Sequence, residues 1–184
     1  RLLIVEAENE RRAQELEEAK QLQLSMLPKK VPQLPNLEIA AYMKPASEVG
    51  GDYYDFHVGK DGTLTVAVGD ATGHGLKAGS VVTATKSLFN AFAAQENLPP
   101  MLTQTSGALK KKNLRGLFMA LTLMKLKDSV LSICAAGMPS TLVYRADSRT
   151  VEEISIRALP LGSMANFKYQ QQEISLRPGD CIMV

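Results

Sequence analysis

Residues 1–27 carry apolar side chains at mixed spacings of three and four, through Val5, Leu16, Ala19 and Met26, with Asn9, Arg12 and Gln23 in the same repeat. The segment is rich in Glu, Gln, Leu, Ala and Arg and holds no Gly or Pro before Pro28, so it predicts one long helix. Its interrupted seam is a weak heptad pattern, read equally well as a solvated connecting helix or as a dimerising coiled coil. Pro28, Pro32 and Pro35 then end the helix and make 28–36 an extended linker. Beyond it the period changes. Residues 37–43, 52–58 and 63–70 read as strands, the last two joined by the turn "GKDG" at 59–62. In 63–70, Leu64, Val66 and Val68 share one face.

After a Gly-rich turn the helical period returns over 76–95, where Leu76, Val81, Val82, Thr85, Leu88, Phe89 and Phe92 form a stripe. A second helix is expected over 100–112. Two apolar runs, 116–126 and 129–137, read as a hairpin turning at Lys127 and Asp128, and shorter strands follow near 140–145 and 151–155. The tail "QQEISLRPGDCIMV" gives a strand, a Pro-Gly-Asp turn and the start of another strand. Hairpins on both sides of a helical pair predict a sheet-rich, layered α+β fold and not a doubly wound parallel sheet.

The 184 residues suffice for one globular domain with an appendage. With 21 Lys+Arg against 19 Asp+Glu, no global field favours nucleic acid or an anionic membrane. The absence of Trp and the low aromatic content weigh further against a base-stacking surface. Cys134 and Cys181 lie far apart in apolar runs, so buried, reduced thiols are expected, and a structural zinc site is not. No signal peptide or long uncharged apolar stretch is present.

The candidate chemistry lies in "GGDYYDF" at 50–56 and "VGDATGHG" at 68–75. An Asp beside Gly is commonly a turn residue, and an Asp after a strand commonly caps the next helix. Asp52, however, stands at the mouth of a strand, and Asp70 ends the strand expected to pair with it. The hairpin brings the two carboxylates to the same end of adjacent strands, where they need a cation or a proton between them. Small neighbours admit carbonyls and waters, the oxygen-rich surroundings that Mg²⁺ and Mn²⁺ take. A phosphate-cradling loop is the rival reading of "GDATGHG", but it is not GxGxxG and lacks the Gly-Lys-Ser/Thr of a P-loop. His74, flanked by glycines, reads as a turn residue before it reads as a base. No GxSxG elbow supports a serine hydrolase.

Together, "SMLP" at 25–28, "PASEVGGDYYDF" at 45–56, "VAVGDATGHGLKAG" at 66–79, "LFMALTL" at 117–123, "AAGMP" at 135–139, "LPLG" at 159–162 and "LRPGD" at 176–180 resemble the bacterial stage II sporulation E / RsbU-type serine phosphatases. These belong to the metal-dependent PP2C-like (PPM) superfamily. The resemblance implies an α-β-β-α sandwich with a two-metal centre of Mn²⁺ or Mg²⁺. It implies that Asp52 is a metal ligand, that Asp70 bridges both ions, and that the Ala71 carbonyl is a further ligand. The implied reaction hydrolyses phosphoserine or phosphothreonine on a protein, water activated at the metals being the nucleophile. The implied partners are a STAS-type regulatory protein as substrate, an upstream sensor in the same full-length chain, and a second copy joined through the N-terminal helix. The expected location is the cytoplasm, with the full-length protein anchored to a membrane where an upstream domain provides the anchor.

Two departures accompany the match. Ala136-Gly137-Met138 stands where the family commonly has Ala-Gly-His, and "DATGHG" replaces the commoner "DVSGHG". In the family a metal-binding Asp follows a strand like "CIMV", which here ends at Val184. The expected organisation is a regulatory helix over 1–27, the linker 28–36 and a C-terminally incomplete phosphatase domain over 37–184. The alternative is a catalytically incomplete regulatory or dimerisation module that relays a sensor's signal through its helix.

Overall fold

A computed structural model describes residues 2–44, 49–112 and 116–184. The long helix forms as expected, as α1 over Leu2–Met26. Strands β1 (Asp52–Val58) and β2 (Leu64–Ala71) follow, then helices α2 (Leu76–Phe92) and α3 (Leu98–Lys111). The rest is strand: β3 (Met119–Lys127), β4 (Val130–Ala136), β5 (Thr141–Arg145), β6 (Thr150–Ile154), β7 (Gln171–Ser175) and β8 (Cys181–Met183). Asp128 takes a φ of 52° in the β3–β4 turn, a left-handed conformation that Asp tolerates better than bulky residues.

The strands form two antiparallel sheets, one ordered β1-β2-β3-β4-β7 and one ordered β6-β5-β8. Alternation along β3 assigns its two faces. Leu121 and Leu123 turn toward the helices, where they meet Val81, Val82 and Phe89 of α2 and Met101, Leu102 and Leu109 of α3. Met124 turns the other way, into a second core with Leu131, Ile133, Val143 and Ile154 between the sheets. A strand buried on both faces must be apolar nearly throughout, which explains the run "MALTLM", broken only by the buried Thr122. The layers are therefore helix pair, large sheet and small sheet, three of the four expected in an α-β-β-α sandwich, among the described residues.

Several expectations change. Residues 37–43 form no strand. Among the described residues they have no ladder partner, the only pairing nearby being the isolated bridge Leu34↔Leu37, and Tyr42 is 86% exposed. Alternating polarity signals a half-buried strand only where a neighbour supplies hydrogen bonds. Leu76 does not join the α2 stripe. It stands in the first turn, 57% exposed, while Ala78 and Gly79 are buried in its place. Cys134 is buried and donates to the Gln170 carbonyl, and its burial pushes the thiol up to about 12. Cys181, on the short edge strand β8, is exposed. Residues 45–48, at the start of the "PASEVGGDYYDF" motif, lie outside the described residues. Among the described residues no helix is long and apolar enough to cross a membrane.

The double-sided burial of β3 predicts an uneven response to truncation. Leu123→Ala, at a fully buried position, should cost about 2–5 kcal/mol in urea unfolding. Leu76→Ala should stay within about 0.5 kcal/mol of the parent. Equal effects would contradict the assigned faces.

Candidate metal centre

The centre is built by the β1–β2 register. Asp52 pairs with Asp70, Tyr53 with Gly69 and Tyr54 with Val68. Residues directly opposite in an antiparallel pair point to the same face, so the two aspartates share one. Both are exposed at the strand ends, whereas their neighbours Tyr53 and Ala71 are buried on the helix side. On the far side of β2, Asp70 pairs with Ala120 and Ala71 with Met119.

Backbone hydrogen bonds close the loops around the pair. The Ala71 N–H donates to the Gly51 carbonyl at 2.9 Å, and the Gly75 N–H donates to the Val49 carbonyl at 2.8 Å. Thr72 sends both its N–H and its hydroxyl to the Phe118 carbonyl, at 2.9 and 3.3 Å. Met119 and Leu161 exchange two backbone bonds, fixing the 158–164 loop beside the start of β3. His74 is exposed in the loop between Gly73 and Gly75, both of which have positive φ.

Gly51 is the tightest point. A Cβ there would lie 2.5 Å from the Ala71 carbonyl oxygen and 2.6 Å from Asp70 Oδ1. Two oxygens thus converge on one small space that only glycine leaves open. Hard divalent ions bind oxygens at about 2.0–2.6 Å, so a carboxylate and a carbonyl converging there, with Asp52 on the same face, suit Mg²⁺ or Mn²⁺. Asp70 is held above the usual carboxylate range, first by partial desolvation and then by the charge of Asp52. A cation would relieve that repulsion. Among the described residues no group of three or more His, Cys, Asp or Glu side chains converges, so this donor set is two carboxylates and a carbonyl.

A family model described as Stage II sporulation protein E (SpoIIE) matches residues 60–184. The chain belongs to the SpoIIE family. Asp70 and Ala71 fall inside the matched span, and Asp52 lies just upstream of it. The phosphoserine phosphatase RsbU of Bacillus subtilis (strain 168) is 25% identical over 174 residues, which are 92% of this chain and 51% of RsbU. Protein IcfG of Synechocystis is 33% identical over 81 residues, 44% of this chain and 13% of IcfG. The chain therefore spans about half the length of the first of these curated relatives and a smaller part of the second. Among solved structures, the SiaA-PP2C domain of Pseudomonas aeruginosa superposes with a TM-score of 0.74 at 18% identity, covering 96% of this chain and 72% of that one. The RsbU and RsbW domains of Rv1364c from Mycobacterium tuberculosis give 0.59 at 26% identity, over 78% and 40%. The fold of this SpoIIE-family chain is thus that of the PP2C-like phosphatases.

One contact at the centre was not legible as such. Gln23, which in the sequence interrupts the seam of the long helix, is only 8% exposed and lies against its own domain. Its Nε2 donates to the Gly50 carbonyl at 2.7 Å, and its Oε1 accepts from the Gly50 N–H at 2.9 Å. A primary amide satisfies both backbone polar groups of one residue in this way, which Leu could not do. Arg12, another of the interruptions, is exposed and pairs with Glu8 at 2.7 Å.

Two outcomes follow for the centre. Gly51→Ala should fold, because Gly51 sits at the sheet rim, yet lower Mn²⁺ affinity at least about tenfold in calorimetric titration. Without metal, wild-type stability should rise as pH falls from neutrality toward the raised range of Asp70, since protonation removes the unfavourable charge. Asp70→Asn should lack that rise in thermal melts.

Proposed function

We propose that this chain is the core of a metal-dependent protein serine/threonine phosphatase acting on a phosphorylated regulatory protein of STAS type. The observation that carries the reading is the in-register Asp52–Asp70 pair beside the Ala71 carbonyl, in a chain of the SpoIIE family. The name of RsbU, a phosphoserine phosphatase, and the RsbX structure in complex with magnesium support the activity and the ion type.

Asp52 and Asp70 would hold divalent ions through carboxylate oxygens, with the Ala71 carbonyl as a further donor among the described residues. Ions bound there supply Lewis-acid charge for phosphoryl oxygens and make water more acidic. The protein's own contribution is positional. The β1–β2 ladder fixes the carboxylates, Gly51 keeps the space between strand and loop open, and the Thr72–Phe118 bonds hold the loop that leaves Asp70. No side-chain nucleophile is called for, and Cys134 is unsuited to such a role because burial keeps its thiol protonated. The upstream sensor, the cytoplasmic location and a dimer joined through α1 belong to the same proposal.

The second reading, a relay through the N-terminal helix, is favoured by the Gln23 contact. It joins α1 to Gly50, beside the glycine that shapes the centre. Movement of the helix would release that peptide and loosen the Asp52 strand end.

In the full-length protein, Asp70→Asn should keep the fold and reduce Mn²⁺-dependent dephosphorylation of a phosphoserine STAS-type protein about 100-fold or more. Turnover at the wild-type rate would remove Asp70 from the centre. Gln23→Leu should alter basal activity without unfolding the protein. Activity identical to the parent across a Mn²⁺ titration would leave α1 a tether.

A further inference from the structure

The motif that supplies Asp52 holds a second aspartate that the chemistry does not use. Asp55 lies three positions further along β1, so the pleat sends it to the opposite face, between the sheet and α2. It is 5% exposed. Lys86 Nζ, from the middle of α2, reaches Asp55 Oδ2 at 2.5 Å, and the Tyr53 hydroxyl donates to the same oxygen at 3.0 Å. The Phe56 N–H donates to Oδ1 at 2.9 Å. The carboxylate is therefore satisfied on both oxygens by three donors from two elements.

Stability alone is a poor reason for such a pair. Apolar residues of similar volume commonly serve as well or better, because two charges must leave water. What an ion pair adds is direction: one oxygen, one ammonium group and one hydroxyl meet in a single geometry. Here that geometry ties β1 to the helix that begins directly after the loop leaving Asp70. Asp52 lies on β1, and Asp70 lies on β2, whose exit loop past Ala71 leads into α2.

We propose that the Lys86–Asp55 ion pair, with the Tyr53 hydroxyl, is a positioning element that sets the Asp52 strand against α2 and so fixes Asp52 relative to the Ala71 carbonyl and the loop that runs from it into α2, beyond the last residue pair of the β1–β2 ladder. This inference rests on the metal-centre reading above. Asp55 and Lys86 act through Asp52 and are not catalytic residues.

The test uses the full-length protein and Mn²⁺ binding by calorimetry, beside thermal melting and steady-state kinetics. Asp55→Asn combined with Lys86→Met removes both charges and keeps the volumes. The double variant should melt within a few degrees of wild type, bind Mn²⁺ at least tenfold more weakly, and regain most of its kcat at saturating Mn²⁺. Lys86→Arg, which keeps the charge on a longer, planar group, should weaken Mn²⁺ about threefold at an unchanged melting temperature. If the double variant does not fold, Lys86→Arg decides. A folded variant that binds Mn²⁺ within twofold of wild type would make the pair purely structural and overturn the inference, leaving the metal centre intact. A wild-type protein whose Mn²⁺ binding is unaffected by Asp70→Asn would overturn the metal-centre reading, and this inference with it.

Discussion

Two like charges face each other across β1 and β2, and the surrounding structure is arranged to keep them there. Asp52 opposite Asp70 is an unfavourable cross-strand pair taken by itself. A slip of one residue would relieve it by sending Asp52 to the helix side, into the core with Tyr53's neighbours. The slip is prevented by the apolar partition of the same strands. Tyr53 and Ala67 are buried against the helices, and a shift would put Asp52 in the place of Tyr53 or the bulkier Val66 or Val68 in the place of Ala67. Hydrophobic burial of several side chains, at about 1.5–3 kcal/mol each, outweighs one partly solvated carboxylate repulsion. The strain of the pair is thus held by the core, and a divalent ion is the natural way to discharge it.

The constraint on register extends inward from β2 to β3. Register in β1 is only as firm as register in β2, and β2 is pinned by eight residue pairs to a strand buried on both faces. Gly69 sharpens the constraint, because a Cβ there would meet the Ala120 carbonyl oxygen at 2.5 Å and Leu121 Cδ1 at 2.8 Å. Gly51 and Gly69 therefore do different work. One lets the sheet pack closely, and the other leaves room where two oxygens converge.

Much of this was legible in the sequence because it is local. Hairpin turns, the helix pair and the strands from β1 to β8 follow from periodicity and turn residues, and Asp52 and Asp70 stand out because glycines mark them. What escaped depends on partners distant in the chain. Residues 37–43 have a strand's pattern without a strand's neighbour. Leu76 fits a helical stripe but sits before the sheet begins to cover α2. Gln23 reads as a flaw in a dimer seam until its partner, Gly50, is known. Asp55 reads as a bystander in "GGDYYDF", since nothing nearby announces Lys86 on the next helix. Long-range hydrogen bonds leave no periodic trace.

The two aspartates of that motif show how finely the pleat divides labour. They are the same side chain, three residues apart on one strand, and an odd spacing gives them opposite faces. Asp52 emerges at the rim, where no cation from the protein meets it among the described residues. Asp55 enters the helix layer, where an ammonium group, a hydroxyl and an amide neutralise and orient it. An unpaired carboxylate in the core would be expelled or protonated, and a fully paired one at the rim would have little capacity left for a metal. Strand parity, more than residue type, therefore decides which aspartate can serve chemistry and which can only hold it in place.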